Sequence, residues 1–201
     1  MLGGIEARRT LNDAGMETLR DIEVGFFTEE EGVRFGTDML GSAVTAGRIP
    51  HAYIECHIKQ GPILADASAG IVEGVQSISW QRLTIRGKAA HVGNTPIASR
   101  HDAGLVAWER MAKATVVSFD PGIQDLLAAT VDDLGLPHVH AMSGAGHDAQ
   151  EISAICPTAM VIVAGENGGI SRIPREYSNP DACANGTDVL ANTVLRLADQ
   201  P

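Results

Sequence analysis

The sequence predicts an α/β fold, and three observations carry that prediction. Short apolar, β-rich runs at 22–28, 52–58 and 159–164 alternate with stretches of helical periodicity. Those helical stretches repeat apolar residues every three or four positions, at Leu105, Trp108, Met111 and Ala112, and again at Leu190, Val194 and Leu197. A chain of 201 residues has material for one substantial core with at most a small second lobe.

Taken in order, residues 4–14 read as a helix stopped at Gly15, and 22–28 (Ile-Glu-Val-Gly-Phe-Phe-Thr) as a mostly apolar strand running into acidic residues. A glycine-spaced segment, 36–47, reads as a short helix. The run 52–58 (Ala-Tyr-Ile-Glu-Cys-His-Ile) is a second strand, ended by Gln60-Gly61-Pro62. From 70 to 87 alternation at Ile78 and Trp80 and at Leu83 and Ile85, with Val72 and Val75 as further anchors, predicts a strand pair. With the helix at 99–115 it makes a smaller α+β insertion. After Pro121 come a helix at 123–134, a loop carrying Ser143-Gly144-Ala145-Gly146-His147-Asp148, another helix, the strand 159–164 and a closing helix at 186–198.

Composition narrows the partners. Acidic residues outnumber basic ones 25 to 15, and no basic run exceeds pairs such as Arg8-Arg9, which argues against a nucleic-acid backbone or an anionic membrane. A small molecule or another protein is the expected partner. No leader pattern opens the sequence and no stretch approaches the roughly 18 apolar residues of a membrane span, so the expected address is cytoplasmic. Cys56, Cys156 and Cys183 are widely and unevenly spaced, which suits reduced thiols better than a disulfide framework.

Four places could carry chemistry, each with a plainer reading beside it. Consecutive carboxylates in Glu29-Glu30-Glu31 repel unless water, a cation or a base neutralises them. They are either a solvated acidic loop or a metal ligand beside a general base. His57, on an apolar strand, is either a hydrogen-bonded core histidine or a zinc ligand through one ring nitrogen. His91, among the small residues of Gly87-Lys-Ala-Ala-His-Val-Gly-Asn-Thr-Pro96, is either part of a polar turn or a donor to an oxyanion. The run Gly144-Ala145-Gly146-His147 opens into a helix, so its N–H groups either serve an ordinary cap or cradle a carboxylate.

Six segments in order resemble the amidase, hydantoinase and carbamoylase family, part of the wider group of dinuclear metallo-aminoacylases and aminopeptidases. They are Glu30-Glu-Gly-Val-Arg-Phe35, Glu55-Cys-His-Ile-Lys-Gln-Gly-Pro62, Gly87 to Pro96, Arg100-His-Asp-Ala103, Ser143-Gly-Ala-Gly-His-Asp-Ala149 and Gly169-Ile-Ser-Arg-Ile-Pro-Arg-Glu176. The resemblance covers nearly the whole chain. It implies an α/β metallopeptidase-like catalytic domain, residues 1–71 and 116–201, with a partial inserted α+β lid and dimerisation domain at 72–115. It also implies hydrolysis of a linear amide, ureido or amidine C–N bond in N-carbamoyl amino acids, ureidopropionate or allantoate, with Zn2+ or Mn2+, two ions per site. By the same resemblance Glu30 is the general base, Glu31 and His57 are metal ligands and Gln60 contacts substrate. His91 reaches the site across a homodimer, and the loop Gly144, Ala145, Gly146, His147 holds the substrate carboxylate.

The sequence also departs from that pattern. Family members carry a His and an Asp ligand upstream of a helix resembling Gly3-Gly-Ile-Glu-Ala7, where this chain begins, and a His where Arg172 follows Gly169-Ile-Ser171. A guanidinium stays protonated and cannot bind a metal. Lys59 stands at a common glutamate position, and stretches after Pro50 and after Lys113 are short. Catalysis is therefore expected to be impaired. The alternative is a non-catalytic remnant that binds a carboxylate ligand or a full-length homologous subunit.

Overall fold

The computed structural model describes residues 2–28, 39–44, 50–58, 64, 67–76, 86–88, 96, 99–100 and 116–200. The chain forms two compact units, one from Met1–Gln76 with Val116–Pro201 and the other from Ser77–Thr115. The sequence-based boundary at 72 falls inside a strand of the larger unit. Almost all of the expected strand pair and helix between 77 and 115 lies outside the described residues.

The larger unit runs α1 (Leu2–Asp13), α2 (Leu40–Ala43), β1 (Tyr53–Ile58), β2 (Ala69–Gln76), β3 (Val116–Ser118), α3 (Pro121–Asp133), β4 (His138–Ser143), α4 (Asp148–Ile152), β5 (Thr158–Val163) and α5 (Pro180–Ala198). The five strands form one mixed sheet. β1 pairs parallel with β5, from Tyr53 opposite Thr158 to Ile58 opposite Val163. β5 pairs antiparallel with β2, and β2 parallel with β4. Gly74 pairs with both Ser118 of β3 and Met142 of β4, so those two strands lie on opposite edges of β2, and β3 takes up the edge that β5 leaves.

All six residues of β5, Thr-Ala-Met-Val-Ile-Val, are buried. A continuous β-branched and apolar run is what a strand covered on both faces requires. Period-two alternation then sorts the core into two layers. Ala69, Ile71, Ala159 and Val161 meet Ile123, Leu127 and Val131 of α3 and Val189 of α5 on one face. Val72, Val75, Met160 and Ile162 meet Leu64, Phe119 and Ala149 on the other. Local chemistry starts the two long helices. The Asp120 carboxylate accepts from Ile123 N at 2.9 Å with Pro121 next, and the Asn179 side chain accepts from Ala182 N at 2.8 Å with Pro180 next. α1, with Ala7 and Leu11 buried, packs on α5.

Close approach dictates glycine at Gly74 and Gly186, among other positions. At Gly74, beside a shift of register between Val72 and Gly74, a Cβ would collide with the Val117 carbonyl oxygen. At Gly186, on the packed side of α5, it would collide with the Val163 side chain. The structure also revises two readings of the sequence. Residues 22–28 form no strand despite their composition, because a β-rich run becomes a strand only where it finds a pairing edge. Conversely, His138-Val-His-Ala-Met-Ser143, read as part of a loop, is β4.

The three cysteines are free. Cys183 is exposed, Cys156 is buried, and half-buried Cys56 has its thiol pushed up to about 11, chiefly by burial. A maleimide should therefore label Cys183 first, and the fast phase should disappear in Cys183→Ser while the other two thiols react only on unfolding. Leu127, with no exposed surface, should cost about 2–5 kcal/mol when cut to alanine. Gly186→Ala should cost about 1–3 kcal/mol by overpacking. Denaturant midpoints at unchanged m-value would check both.

Candidate functional site

Strand alternation builds the site. Glu55 and His57 lie opposite Met160 and Ile162 in the register, and so project to the face on which α4 packs. Ile54 and Cys56 point the other way, into the α3 and α5 layer. The 144–147 loop then brings His147, only 4% exposed, over β1 as the residue that precedes α4.

One carboxylate ties the two elements. Glu55 Oε2 accepts from Ala149 N at 2.8 Å, in the first turn of α4, and lies 3.4 Å from the Tyr53 hydroxyl. Its other oxygen is 3.8 Å from His147 Nδ1. Burial, with the Glu55 charge adding to it, pushes the Tyr53 phenol far above its ordinary range, so it stays a neutral donor. The Nε2 of His147 is 2.8 Å from Ser143 Oγ. The rings of His57 and His147 stand edge to face with centroids 4.7 Å apart. Asp148 accepts from Ser42 Oγ at 2.5 Å, joining α2 to α4. Burial raises its carboxyl above the usual range, while the Ser42 hydroxyl and nearby His57 act in the opposite sense.

The donor chemistry fits a borderline divalent ion. One ligand atom from each of Glu55, His57 and His147 lies within 4.8 Å of the others, and two imidazoles with one carboxylate are a common zinc set. His57 Nδ1 is 2.7 Å from the Ile58 carbonyl oxygen. A protonated Nδ1 donating there leaves the lone pair on Nε2, the tautomer a metal ligand needs.

Of the residues singled out in the sequence, the structure brings together His57 and His147. Glu30, Glu31, Gln60 and His91 lie outside the described residues. Gly144 is exposed, and Ala145 and Gly146 are half-buried. α4 is five residues long, and its Ala149 N–H is already taken by Glu55. A carboxylate held at 144–147 would therefore rely on loop N–H groups and side chains, not on a helix field. Arg172 is exposed, has a positive φ of 62°, and donates its backbone N–H to Glu176 Oε2 at 2.6 Å. Glu55 escaped the sequence reading. Its signal was there, since a residue two positions before His57 on a strand shares its face.

Comparison with known proteins finds relatives that match nearly the whole chain. An N-carbamoyl-L-amino acid amidohydrolase from Geobacillus stearothermophilus is 27% identical across 98% of this chain and 76% of its own length. That match runs over 313 positions, so long stretches of the relative have no counterpart here. An N-carbamoyl-L-amino-acid amidohydrolase from Rhizobium meliloti is 28% identical across 99% of this chain and 75% of its own. The fold is shared with a crystallised amidase of the hydantoinase/carbamoylase family from Burkholderia multivorans. That structure superposes with a TM-score of 0.81 at 24% identity, over 100% of this chain and 76% of the other. A family model matches residues 1–196, which takes in β1 with His57, the 144–147 loop and all of α5 but its last two residues, and by that match the chain belongs to peptidase family M20/M25/M40.

Proposed function

We propose that this chain is a metal-dependent hydrolase domain for non-peptide C–N bonds, acting on a small N-carbamoyl amino acid-like or allantoate-like molecule, with turnover weakened by Arg172. The observation that carries the reading is the Glu55, His57 and His147 group on β1 and beside α4, in a chain whose relatives include N-carbamoyl amino acid amidohydrolases. A bound Zn2+ or Mn2+ ion would polarise the scissile carbonyl and make nearby water more acidic.

The chain's own groups take the other roles. His57 would hold the ion together with Glu55 and His147, with Glu31 as a further ligand. Glu30 takes a proton from water and returns it to the leaving nitrogen. Gln60 and the Gly144–His147 loop orient the substrate carboxylate, and His91 donates to the carbonyl oxygen as negative charge develops there. In this reading the segment expected at 72–115 is a partial lid that joins two subunits, and the protein works in the cytoplasm. No helix among the described residues is long and apolar enough to cross a membrane.

Arg172 gives the proposal its second half. An exposed cation at the position where the family's pattern has a histidine removes a ligand and opposes a nearby divalent ion. Arg172→His should therefore tighten zinc binding and raise turnover together.

Elemental analysis after dialysis against trace zinc should find at least about one ion per chain, with about one fewer in His57→Ala. Release of free amino acid from N-carbamoyl substrates should fall about 10²–10⁴-fold in Glu30→Gln with the metal content unchanged. A chain that retains zinc but releases nothing from any N-carbamoyl or ureido compound, even with Arg172→His, would support the non-catalytic binding remnant instead.

A further inference from the structure

A second pair of imidazoles lies on the opposite face of the sheet. His138 and His140 stand two positions apart on β4, opposite Ala69 and Ile71 of β2, so both project to the side covered by α3. Their ring centroids are 5.8 Å apart, at 60° between planes. Two imidazoles sharing one ion through metal–nitrogen bonds of about 2.0–2.1 Å place their rings roughly 5–6 Å apart. The 5.8 Å centroid spacing falls within that range.

Each ring also has its own carboxylate. His138 Nδ1 is 3.6 Å from Asp132 Oδ1, at the last turn of α3, and His140 Nδ1 is 3.4 Å from Glu73 Oε1. Glu73 sits where the β2–β4 register shifts between Val72 and Gly74. Both contacts are longer than a hydrogen bond; drawn in on ion binding, a carboxylate facing Nδ1 would keep the proton on that nitrogen and leave the lone pair on Nε2, the arrangement found behind metal-bound histidines. The His140 side chain is 41% exposed and that of His138 is 18% exposed, so an ion could arrive from solvent. Among the described residues β4 pairs only with β2, and no strand covers its outer edge.

We propose that His138 and His140 form a two-imidazole site for a borderline divalent cation, Ni2+, Cu2+ or Zn2+, separate from the Glu55, His57 and His147 group. Glu73 and Asp132 act as positioning residues that hold each ring in the ligating tautomer. Imidazole donors suit these ions, whereas Mg2+ and Ca2+ prefer oxygen and should not compete. The site does not depend on the hydrolase reading.

The test is calorimetric titration of the chelator-stripped full chain with Ni2+. His57→Ala should leave this binding event in place, and His140→Ala or His138→Gln should each weaken it about tenfold or more. Glu73→Gln and Asp132→Asn, both at exposed acids and so without risk to the fold, should weaken it about tenfold. With one equivalent of Cu2+ in the His57→Ala background, electron paramagnetic resonance should show two coupled nitrogens, and one in His140→Ala. Unchanged Ni2+ affinity in the His138→Gln, His140→Ala double variant would overturn the proposal. So would a Ni2+ event lost only in His57→Ala.

Discussion

The hydrogen bond from Ala149 N to the Glu55 carboxylate is the contact on which the candidate site rests. Glu55 is mostly withdrawn from water, and a charge in that position must find donors or become costly. Its donors include a main-chain N–H of α4 and, more distantly, the Tyr53 hydroxyl, so satisfying the charge pins a five-residue helix to β1. α4 has too few turns to stand by propensity alone. Ser42 adds a second tether through Asp148, and the apolar contacts of Ala149 and Ile152 supply the rest. The outcome is that His147, reached from a glycine-spaced loop, meets His57 although β2, β3, α3 and β4 lie between them in sequence.

Much of the fold was legible because local chemistry and burial agreed. Pro121 marks a helix start behind a capping side chain, and the Thr158–Val163 run is β-branched and apolar because it is covered on both sides, whereas the last helix begins at Pro180, ahead of the start at 186 expected from its apolar stripe. β4 was not legible. Its alternation sets His138 and His140 against Val139 and Ala141, so the usual contrast between an apolar and a charged face is weak. The run at 22–28 misled for the opposite reason, since composition favours a strand while pairing is decided by distant edges.

At the site, the residues that resemblance could name and the residues that geometry names overlap at His57 and His147. Glu55 was hidden because, in one dimension, an acid next to a cysteine and a histidine looks like ordinary surface alternation. Only the register with β5 shows that its face is covered. For His57, the 2.7 Å approach of its Nδ1 to the Ile58 carbonyl commits one nitrogen to the backbone, as the core reading expects, and leaves the other for the ligand that the zinc reading expects.

The parallel pairing of β1 with β5 has a further consequence for how the chain acquires its structure. Tyr53 meets Thr158, a partner about a hundred residues later, and every rung up to Ile58 with Val163 shares that separation. Contacts so remote in sequence must wait for a large loop to close, which slows folding. On the ribosome β1 emerges long before β5 exists, so Glu55 and His57 pass through synthesis without the neighbour that sets their direction. α4 is made only shortly before β5, and the carboxylate that anchors it waits on the earlier strand. The ligand cluster is therefore assembled by the last third of the chain, and a ribosome stalled before Thr158 would hold every one of its side chains without the site.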